Sequence, residues 1–561
     1  MSRRVLLIGA TGFFGRRLAS HLAKLDNIEL VITSRTLDKA AALARSLRTE
    51  NPTAVVTEWA FDRAGDNAAI LGLKPWLVID TSGPFQRTGY DLARMSLEAG
   101  AHWIDIADAR DYVLGFAAAL DGLAKAKGLS ALCGASSTPA LSFAAVADLT
   151  RGWQRVDTID IAIFPGGGVK VGPAVIKALL SYAGQPIATW REGYAQSVTG
   201  WSWPRAQRIP GLGLRYLSPV ETADDKLLSE RFAVTSRVAF SAGLESRLEQ
   251  FGLSTLAALR RQALIRNLDA LAPWLEKART VTSIGASDKG GMTVAVTGID
   301  DEGQQLAACW SLLSGKGEGP HVPILPALAL TRALSTTNVT PGARLAAGVL
   351  PLGLIEAEMK PLALKTAHTR MPAPRGGLFA NVMGADTYAA LAPAVRAFHD
   401  CSAPPVWTGR ADIEAGTGLM TKIIRRAIGL PASGRDVPVT VSVDRHGGDE
   451  TWTRNFSGGR FSSRLRFEEH GRVTERFGPF DVILALQAGT SGLEMPVVGW
   501  RMGRIPLPRL FAPRSDSREY QDEQGRFRFD VGISVPLLGL LARYQGWLMP
   551  QTIPPAIHPP L

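Results

Sequence analysis

Only three cysteines occur in 561 residues, at Cys133, Cys309 and Cys401, and no two of them form a CxxC pair. That scarcity excludes a disulfide framework and a structural zinc site, and a reducing compartment is the expected setting. Nor is there a run of about 18 apolar residues, so no membrane-spanning helix is expected. The start, MSRRVLLIGATG, joins two arginines to an apolar run of only Val5 to Ile8 before a glycine turn. Such a run is too short for the apolar core of a secretory signal, and a cytoplasmic location is expected. The eight histidines show no paired ligand spacing, and no metal is expected. The absence of GxSxG removes the nucleophile elbow of serine hydrolases.

What is present is an ordinary globular composition, 46% hydrophobic, 20% charged and 7% aromatic, which excludes global disorder and a collagen-like fibre. At roughly 100–200 residues per domain, the length calls for about three domains. The net charge of +11 comes mostly from scattered arginines, in isolated pairs such as Arg260-Arg261 and Arg425-Arg426, and no lysine follows Lys422. A nucleic-acid footprint would be a clustered stripe, so no nucleic-acid partner is expected. An anionic ligand and an anionic membrane surface stay open.

The fold class expected is α/β, with an N-terminal doubly wound Rossmann domain, an α+β middle domain, and a C-terminal α+β domain with a mostly antiparallel curved sheet. Residues 1–145 carry the first, 146–370 the second and 378–550 the third, with 551–561 as a proline-rich tail. In the first, strands over Val5–Ile8, Ile28–Thr33, Val55–Phe61, Trp76–Asp80, His102–Ile106 and Leu129–Ala135 alternate with helical patterns at Leu18/Leu22/Leu25, Leu37–Leu47, Tyr90–Ala99 and Asp111–Ala126. Such alternation makes a parallel sheet with crossover helices. In the middle, a helix over Glu245–Ala278, a hairpin of Met292–Ile299 with Gln305–Leu312, and a helix over Leu325–Leu334 are expected. Met371–Gly377 reads as a linker. Beyond it, helices over about 386–399 and 417–428 precede alternating strands, in which Trp452, Arg454 and Phe456, then Phe461, Ser463, Leu465 and Phe467, then Phe527, Phe529, Val531, Ile533 and Val535 each share a face.

The chemistry-bearing motif is Gly9-Ala10-Thr11-Gly12-Phe13-Phe14-Gly15, directly after the first strand and opening the first helix. Gly9 permits the tight turn, Gly12 lets backbone approach a pyrophosphate, and Gly15 lets the helix pack close to the sheet. The helix N-terminus then offers free N–H groups to phosphate. The second strand ends Ser34-Arg35-Thr36 where an NAD site would place a carboxylate, so hydroxyls and a guanidinium point to the 2′-phosphate of NADP(H). Asp62, closing the third strand, either accepts from an adenine amino group or caps a helix. Thr81-Ser82-Gly83-Pro84-Phe85 follows the fourth strand at the sheet's carboxyl edge, on the nicotinamide side. No tyrosine is followed four residues later by lysine: Arg94, Phe116, Pro186, Val198, Val220, Ala392, Gln524 and Leu548 stand there. The acid pair of short-chain dehydrogenases is therefore missing.

Val78-Ile-Asp-Thr-Ser-Gly-Pro-Phe85 with Gly89, followed by Ser96-Leu-Glu-Ala-Gly-Ala-His-Trp-Ile-Asp105, resembles the saccharopine-dehydrogenase-like family. Cys133-Gly134 to Pro139 is similar, more loosely, to that family's Gly-x-x-Ser-x-Pro turn. The resemblance covers about residues 3–145 and fades by about 365. It implies NADP(H) as cofactor, with Gly9, Gly12, Gly15, Ser34, Arg35 and the Gly83–Phe85 loop as cofactor contacts. It further implies hydride transfer at C–N bonds of amino acids or C=C bonds of lipid precursors. The last third, by Glu450–Phe456, Glu475–Pro479, Ile505–Pro508 and Arg543–Trp547, is similar to a domain of unknown function fused behind such reductases.

Asp105, Asp108 and Tyr112, after the fifth strand, are the candidates for donating or relaying a proton. For Asp108 and Asp111 the alternative is capping the next helix. His102 is read as a structural histidine. Arg205, Arg208, Arg215 and Arg237 supply arginines for a carboxylate clamp without singling one out. Trp190, Trp201 and Trp203 line either a substrate site or the core. In the C-terminal domain Arg454, Arg464 and Arg466 alternate with apolar residues, around either a hydrophobic ligand or a half-buried sheet. The expected function is an NADP(H)-dependent oxidoreductase taking a small-molecule substrate, its homodimeric state left open. The alternatives are a non-catalytic NADP(H)-binding protein whose C-terminal domain binds a partner or hydrophobic ligand, and peripheral attachment to an anionic membrane.

Overall fold

The computed structural model describes residues 2–551 except 64, 66–68, 87, 169–172, 203, 210, 266, 269–270, 272–281, 283–284, 337–338, 373–376, 401–402, 447, 458, 490–491 and 504. Its N-terminal sheet is built from β1 (Arg3–Ile8), β2 (Ile28–Ser34), β3 (Val55–Ala60), β4 (Leu77–Asp80), β5 (His102–Asp105) and β6 (Ser130–Cys133), with α1 (Gly15–Leu22), α2 (Leu37–Glu50), α3 (Ala69–Leu73), α4 (Asp91–Glu98) and α5 (Arg110–Ala126) between them. Every pairing in it is parallel. Val5 to Ile8 and Leu77 to Ile79 are buried on both faces, the continuous apolar run that a sheet covered by helices on both sides requires. The expected strands are found to within two residues.

The expected boundary at 145 is corrected by a seventh strand. After α6 (Ser142–Leu149) the chain builds a mixed sheet, then returns at Gly342–Leu345 to pair in parallel with β6. The order is then 342–345, β6, β5, β4, β1, β2, β3, reversing direction between β1 and β4. That reversal is where doubly wound sheets open their ligand crevice. The mixed sheet contains β7 (Arg155–Phe164), followed by α7 (Pro173–Tyr182), β8 (Pro186–Arg191), β9 (Tyr194–Thr199), β10 (Arg205–Ile209), β11 (Gly213–Pro219), α8 (Asp224–Phe232), β12 (Arg237–Ala242), α9 (Arg247–Arg261), β13 (Gly290–Ile299) and β14 (Gln305–Ser314). One hydrophobic core joins this sheet to the first, with Ile159, Val294 and Trp310 in the same cluster as Leu6 and Trp103.

Several expectations here are met or corrected. The β13–β14 hairpin is present, and so is the later helix, as Leu325–Thr336. Of the helix expected over Glu245–Ala278, α9 is capped by Ser246 Oγ accepting from Glu249 N and ends before Ala263, whose φ of 59° is left-handed, while 266, 269–270 and 272–278 lie outside the described residues. Of the linker expected at 371–377, Met371 and Pro372 finish the strand Leu364–Pro372, Gly377 opens the helix Gly377–Met383, and 373–376 lie outside the described residues.

Among the described residues the C-terminal sheet has 13 strands, antiparallel throughout. Its two ends are formed by neighbouring stretches of chain: Phe480–Ala485 lies near one end, Gln487–Gly489 is the opposite edge, and Leu486 alone separates them. The stretch 492–502 bridges the two sides, Gly492–Glu494 pairing with Arg514–Gln521 and Val497–Met502 with Phe480–Ala485, so the sheet curls back on itself. Ala485 N donating to Pro496 O (3.0 Å) and Met495 N to Ser517 O (3.0 Å) tie the junction. Helices Gly377–Met383 and Pro393–His399 fill the enclosed side: Phe398 stacks on Phe527 at 4.2 Å, and Phe379 on His399 at 3.7 Å. Trp452, Phe461 and Leu465 face this core as expected, but Phe467 is exposed because a register shift follows it. Pro550 ends the last strand; the tail beyond Gln551 lies outside the described residues.

Candidate functional site

At the carboxyl end of β1, Gly9 adopts a φ of +74°, and a Cβ there would lie 2.9 Å from the Ser82 backbone. Gly12 N donates to Gly9 O at 2.9 Å, closing the turn. A Cβ on Gly15 would stand 2.1 Å from Gly9 O and 2.7 Å from Thr81 Oγ1, so only glycine lets α1 start this close to the sheet. Ala10 is buried beneath the turn. The N–H groups of Phe13, Phe14 and Gly15 have no backbone acceptor among the described residues, the donors a helix start presents to an anion. Arg17 Nη1 donates to Phe13 O at 2.5 Å, with its guanidinium 4.3 Å from the Phe13 ring.

Thr11 Oγ1 lies 3.3 Å from Ser34 Oγ, so the glycine turn and the end of β2 share a hydroxyl contact. Arg35 and Thr36 follow in the open, and Arg35 makes no ion pair among the described residues. Asp62 is exposed at the end of β3.

The loop after β4 is arranged by Asp80, which is fully buried. Its Oδ1 accepts from Ser82 N (2.8 Å) and Ser82 Oγ (2.5 Å), while Arg63 Nη1 sits 3.2 Å from Oδ2. Arg63 also reaches Ser82 O (3.3 Å) and lies 5.2 Å over the Phe85 ring. Its Nη2 is buried without a hydrogen-bond partner among the described residues. Sequence reasoning missed Arg63; a cation between strand end and helix gave it no signal. Thr81 turns inward, its N and Oγ1 both donating to Ile8 O (2.9 and 2.8 Å). The Gly83–Pro84 peptide is cis, and Phe85 packs on Tyr112 at 5.3 Å.

Two proton-relay expectations are corrected. The Asp105 side chain is buried, taking Gly134 N at 2.8 Å, Trp103 Nε1 at 2.9 Å, Ala107 N at 3.1 Å and Tyr112 OH at 3.4 Å. Burial raises its pKa against the pull of those donors. Tyr112 is buried beside it, between Phe85 and Tyr90, its phenol pKa pushed up by burial and by Asp105. Together they pin the β5, β6 and α5 junction and offer no open group. Neither Asp108 nor Asp111 caps α5; Ala109 holds the N-cap position. His102 is structural as expected, with Nδ1 accepting from Ser130 N at 3.1 Å.

Asp108 follows β5 in the loop before α5, with its side chain at the surface and its carboxyl pKa raised by desolvation. Tyr182 is the last residue of α7; burial first, then the Asp108 and Glu221 carboxylates, push its pKa up. Glu221 is raised by burial and lowered by Arg110. Arg110 Nη2 donates to Asp225 Oδ2 at 3.1 Å, and Ser142 Oγ to Asp224 Oδ1 at 2.8 Å, fastening α8 to the first domain. Asp108, Tyr182 and Glu221, from three separate stretches of the chain, thus lie within electrostatic reach of one another. In the sequence Tyr182 figured only as a tyrosine without its lysine.

The remaining candidates disperse. Arg205 and Arg208 are exposed, Arg215 faces Glu245, and Arg237 pairs with Asp160 and Asp444. Trp201 is core, Trp190 Nε1 donates to Val234 O at 2.9 Å, and Trp203 lies outside the described residues. Arg454, Arg464 and Arg466 each face a carboxylate, Glu475, Asp449 and Asp481. Among the described residues no group of three or more His, Cys, Asp or Glu could hold a metal ion, and no helix is long and apolar enough to cross a membrane.

Residues 5–132 match the family described as the saccharopine dehydrogenase NADP binding domain, and residues 391–548 match a domain of unknown function, DUF4166. Among solved structures, an apo saccharopine dehydrogenase (L-Glu forming) from Saccharomyces cerevisiae is similar at 13% identity and a TM-score of 0.49, over 66% of this chain and 100% of that one. A DAP dehydrogenase from C. glutamicum in complex with DAP is similar at 16% identity and a TM-score of 0.35, over 64% and 98%. An engineered D-amino acid dehydrogenase bound to NADP+ is similar at 16% identity and a TM-score of 0.35, over 63% and 96%.

Proposed function

We propose that this chain, with its NADP(H)-type N-terminal domain, is an oxidoreductase acting on a small molecule with a C=N or C=C bond. The observation that carries the reading is the Gly9–Gly15 turn, closed so tightly that a Cβ at Gly15 would meet Gly9 O and Thr81, and joined through Thr11 and Ser34 to the end of β2, where Arg35 makes no ion pair among the described residues. In this reading the backbone of Gly12–Gly15 holds the pyrophosphate, and Ser34, Arg35 and Thr36 hold the 2′-phosphate. Asp62 faces the adenine. Ser82, Gly83, Pro84 and Phe85, fixed by Asp80 and Arg63, line the nicotinamide side. Bound NADP(H) supplies or takes up a hydride.

In this reading the substrate lies beside Asp108, Tyr182 and Glu221, which the fold of the first two sheets brings within electrostatic reach. Tyr182, protonated at neutral pH as any phenol is and held more firmly so by burial and the two carboxylates, donates a hydrogen bond to the reacting atom. Asp105 and Tyr112 act one layer deeper, as positioning residues for the loop that carries Asp108.

The test is a fluorescence titration with NADPH and NADH, followed by cofactor oxidation against a panel of imines and activated alkenes. Arg35→Glu is expected to weaken NADPH binding by tenfold or more, about 1.4 kcal/mol, and to favour NADH. Tyr182→Phe is expected to bind NADPH normally and lose at least about a hundredfold in turnover. Tight NADPH binding without turnover of any candidate would leave a nucleotide-binding protein in place of an enzyme.

A further inference from the structure

The helix Leu419–Ile428 lies on the C-terminal sheet with much of its apolar side facing outward. Thr421 is buried against the sheet and Ile424 packs on its core, while Leu419, Met420 and Ile423 are 76%, 58% and 55% exposed. At 100° per residue, Leu419 and Ile423 centre the outward face and Lys422 and Arg426 flank it. The neighbouring turn between Phe527–Val535 and Gly539–Pro550 extends the patch. Thr421 Oγ1 donates to Leu538 O at 3.4 Å and Gly416 N to Leu541 O at 3.1 Å, and Leu537 at the tip is 93% exposed. Soluble monomers scatter exposed aliphatics singly; a contiguous group on a helix and a loop tip marks a binding surface.

Charge identifies the occupant. The helix carries Lys422, Arg425 and Arg426, and neither it nor the 535–542 turn contains an acidic residue. Arg425 turns inward to the Gly416 and Pro431 carbonyls, leaving Lys422 and Arg426 exposed at the rim. A second copy seated by two-fold symmetry would bring these cations together around a patch with no carboxylate to receive them. We propose that this end of the C-terminal domain docks on an anionic lipid bilayer, with Leu419, Ile423 and Leu537 entering the acyl boundary and Lys422 and Arg426 meeting lipid phosphates. The exposed apolar side chains of the surface are aliphatic. It stands apart from the nucleotide cradle, so it holds or fails independently of the cofactor.

Sedimentation of the full chain with phosphatidylcholine vesicles, with and without about one-third phosphatidylserine, tests it. Binding is expected only to the anionic vesicles and is expected to weaken with salt. Leu537→Glu and Ile423→Glu are each expected to reduce it by roughly tenfold, with thermal midpoint and NADPH affinity unchanged. Lys422→Glu with Arg426→Glu is expected to abolish the phosphatidylserine dependence. Absence of vesicle binding, equal binding to neutral vesicles, or full binding by Leu537→Glu with Ile423→Glu combined would each overturn the proposal. A dimer in sedimentation velocity that Leu537→Glu dissociates, without vesicle binding, would overturn it in favour of a second copy.

Discussion

Asp224 is buried at the first turn of α8, where Ser142 donates to one carboxylate oxygen and the other has no hydrogen-bond partner among the described residues. Burial lifts its pKa from 3.8 to about 7, against the pull of the Ser142 and Thr222 hydrogen bonds. The folded chain therefore keeps this proton where the unfolded chain releases it. Its contribution to stability is full below pH 3.8 and is lost as pH rises from there to about 7. A shift of about three units corresponds to on the order of 4 kcal/mol. Asp224→Asn keeps the oxygen that Ser142 addresses, so urea midpoints are expected to lose this acid-side advantage and to exceed the wild type at neutral pH. Residues at this scale were legible where backbone dictates identity, as at Gly9 and Gly15. They were illegible where tertiary packing decides: nothing local distinguishes buried Asp105 from surface Asp108, three positions on, and nothing pairs Tyr182 with either.

Two glycines in different helices show how an element's surroundings set the value of a missing Cβ. Gly15 begins α1 against Gly9 O and Thr81, whereas Gly122, in α5, has nothing within 4 Å of where a methyl group would stand. Gly15→Ala is expected to lower stability by about 1–3 kcal/mol through overpacking and to impair NADPH binding. Gly122→Ala is expected to raise stability by about 0.5–1 kcal/mol through helix propensity. Thermal melts with and without NADPH separate the two. Elements with a continuous apolar run, such as β1 and β4, or an apolar-rich hairpin, such as β13–β14, could be read from sequence because each pattern reports its own burial. The strand Gly342–Leu345 could not, since four residues show no period and their partner lies more than 200 residues earlier. Phe467 went the other way, its alternation broken by a register shift that the side-chain pattern does not announce.

At the scale of the whole molecule, the C-terminal sheet has its own core but is fastened to the mixed sheet by charge. Arg237 pairs with Asp160 and Asp444, Ser236 Oγ donates to Asp444 Oδ1 at 2.7 Å, and Arg460 and Asn455 reach Glu192 at 3.1 and 3.4 Å. Asp444→Ala is expected to cost about 1.5–3 kcal/mol and to split calorimetric unfolding into two transitions, the C-terminal domain melting apart from the rest. The domain order was legible from composition and pattern, but the shared core of the first two domains was not, because it depends on the chain returning at residue 342. That return also fixes a timetable for synthesis. When β6 leaves the ribosome its outer edge is bare, and the strand that covers it follows 209 residues later. At roughly 5–20 residues per second that interval is about 10–40 s, during which the nascent nucleotide-binding sheet exposes an unpaired parallel edge to whatever in the cell can bind it.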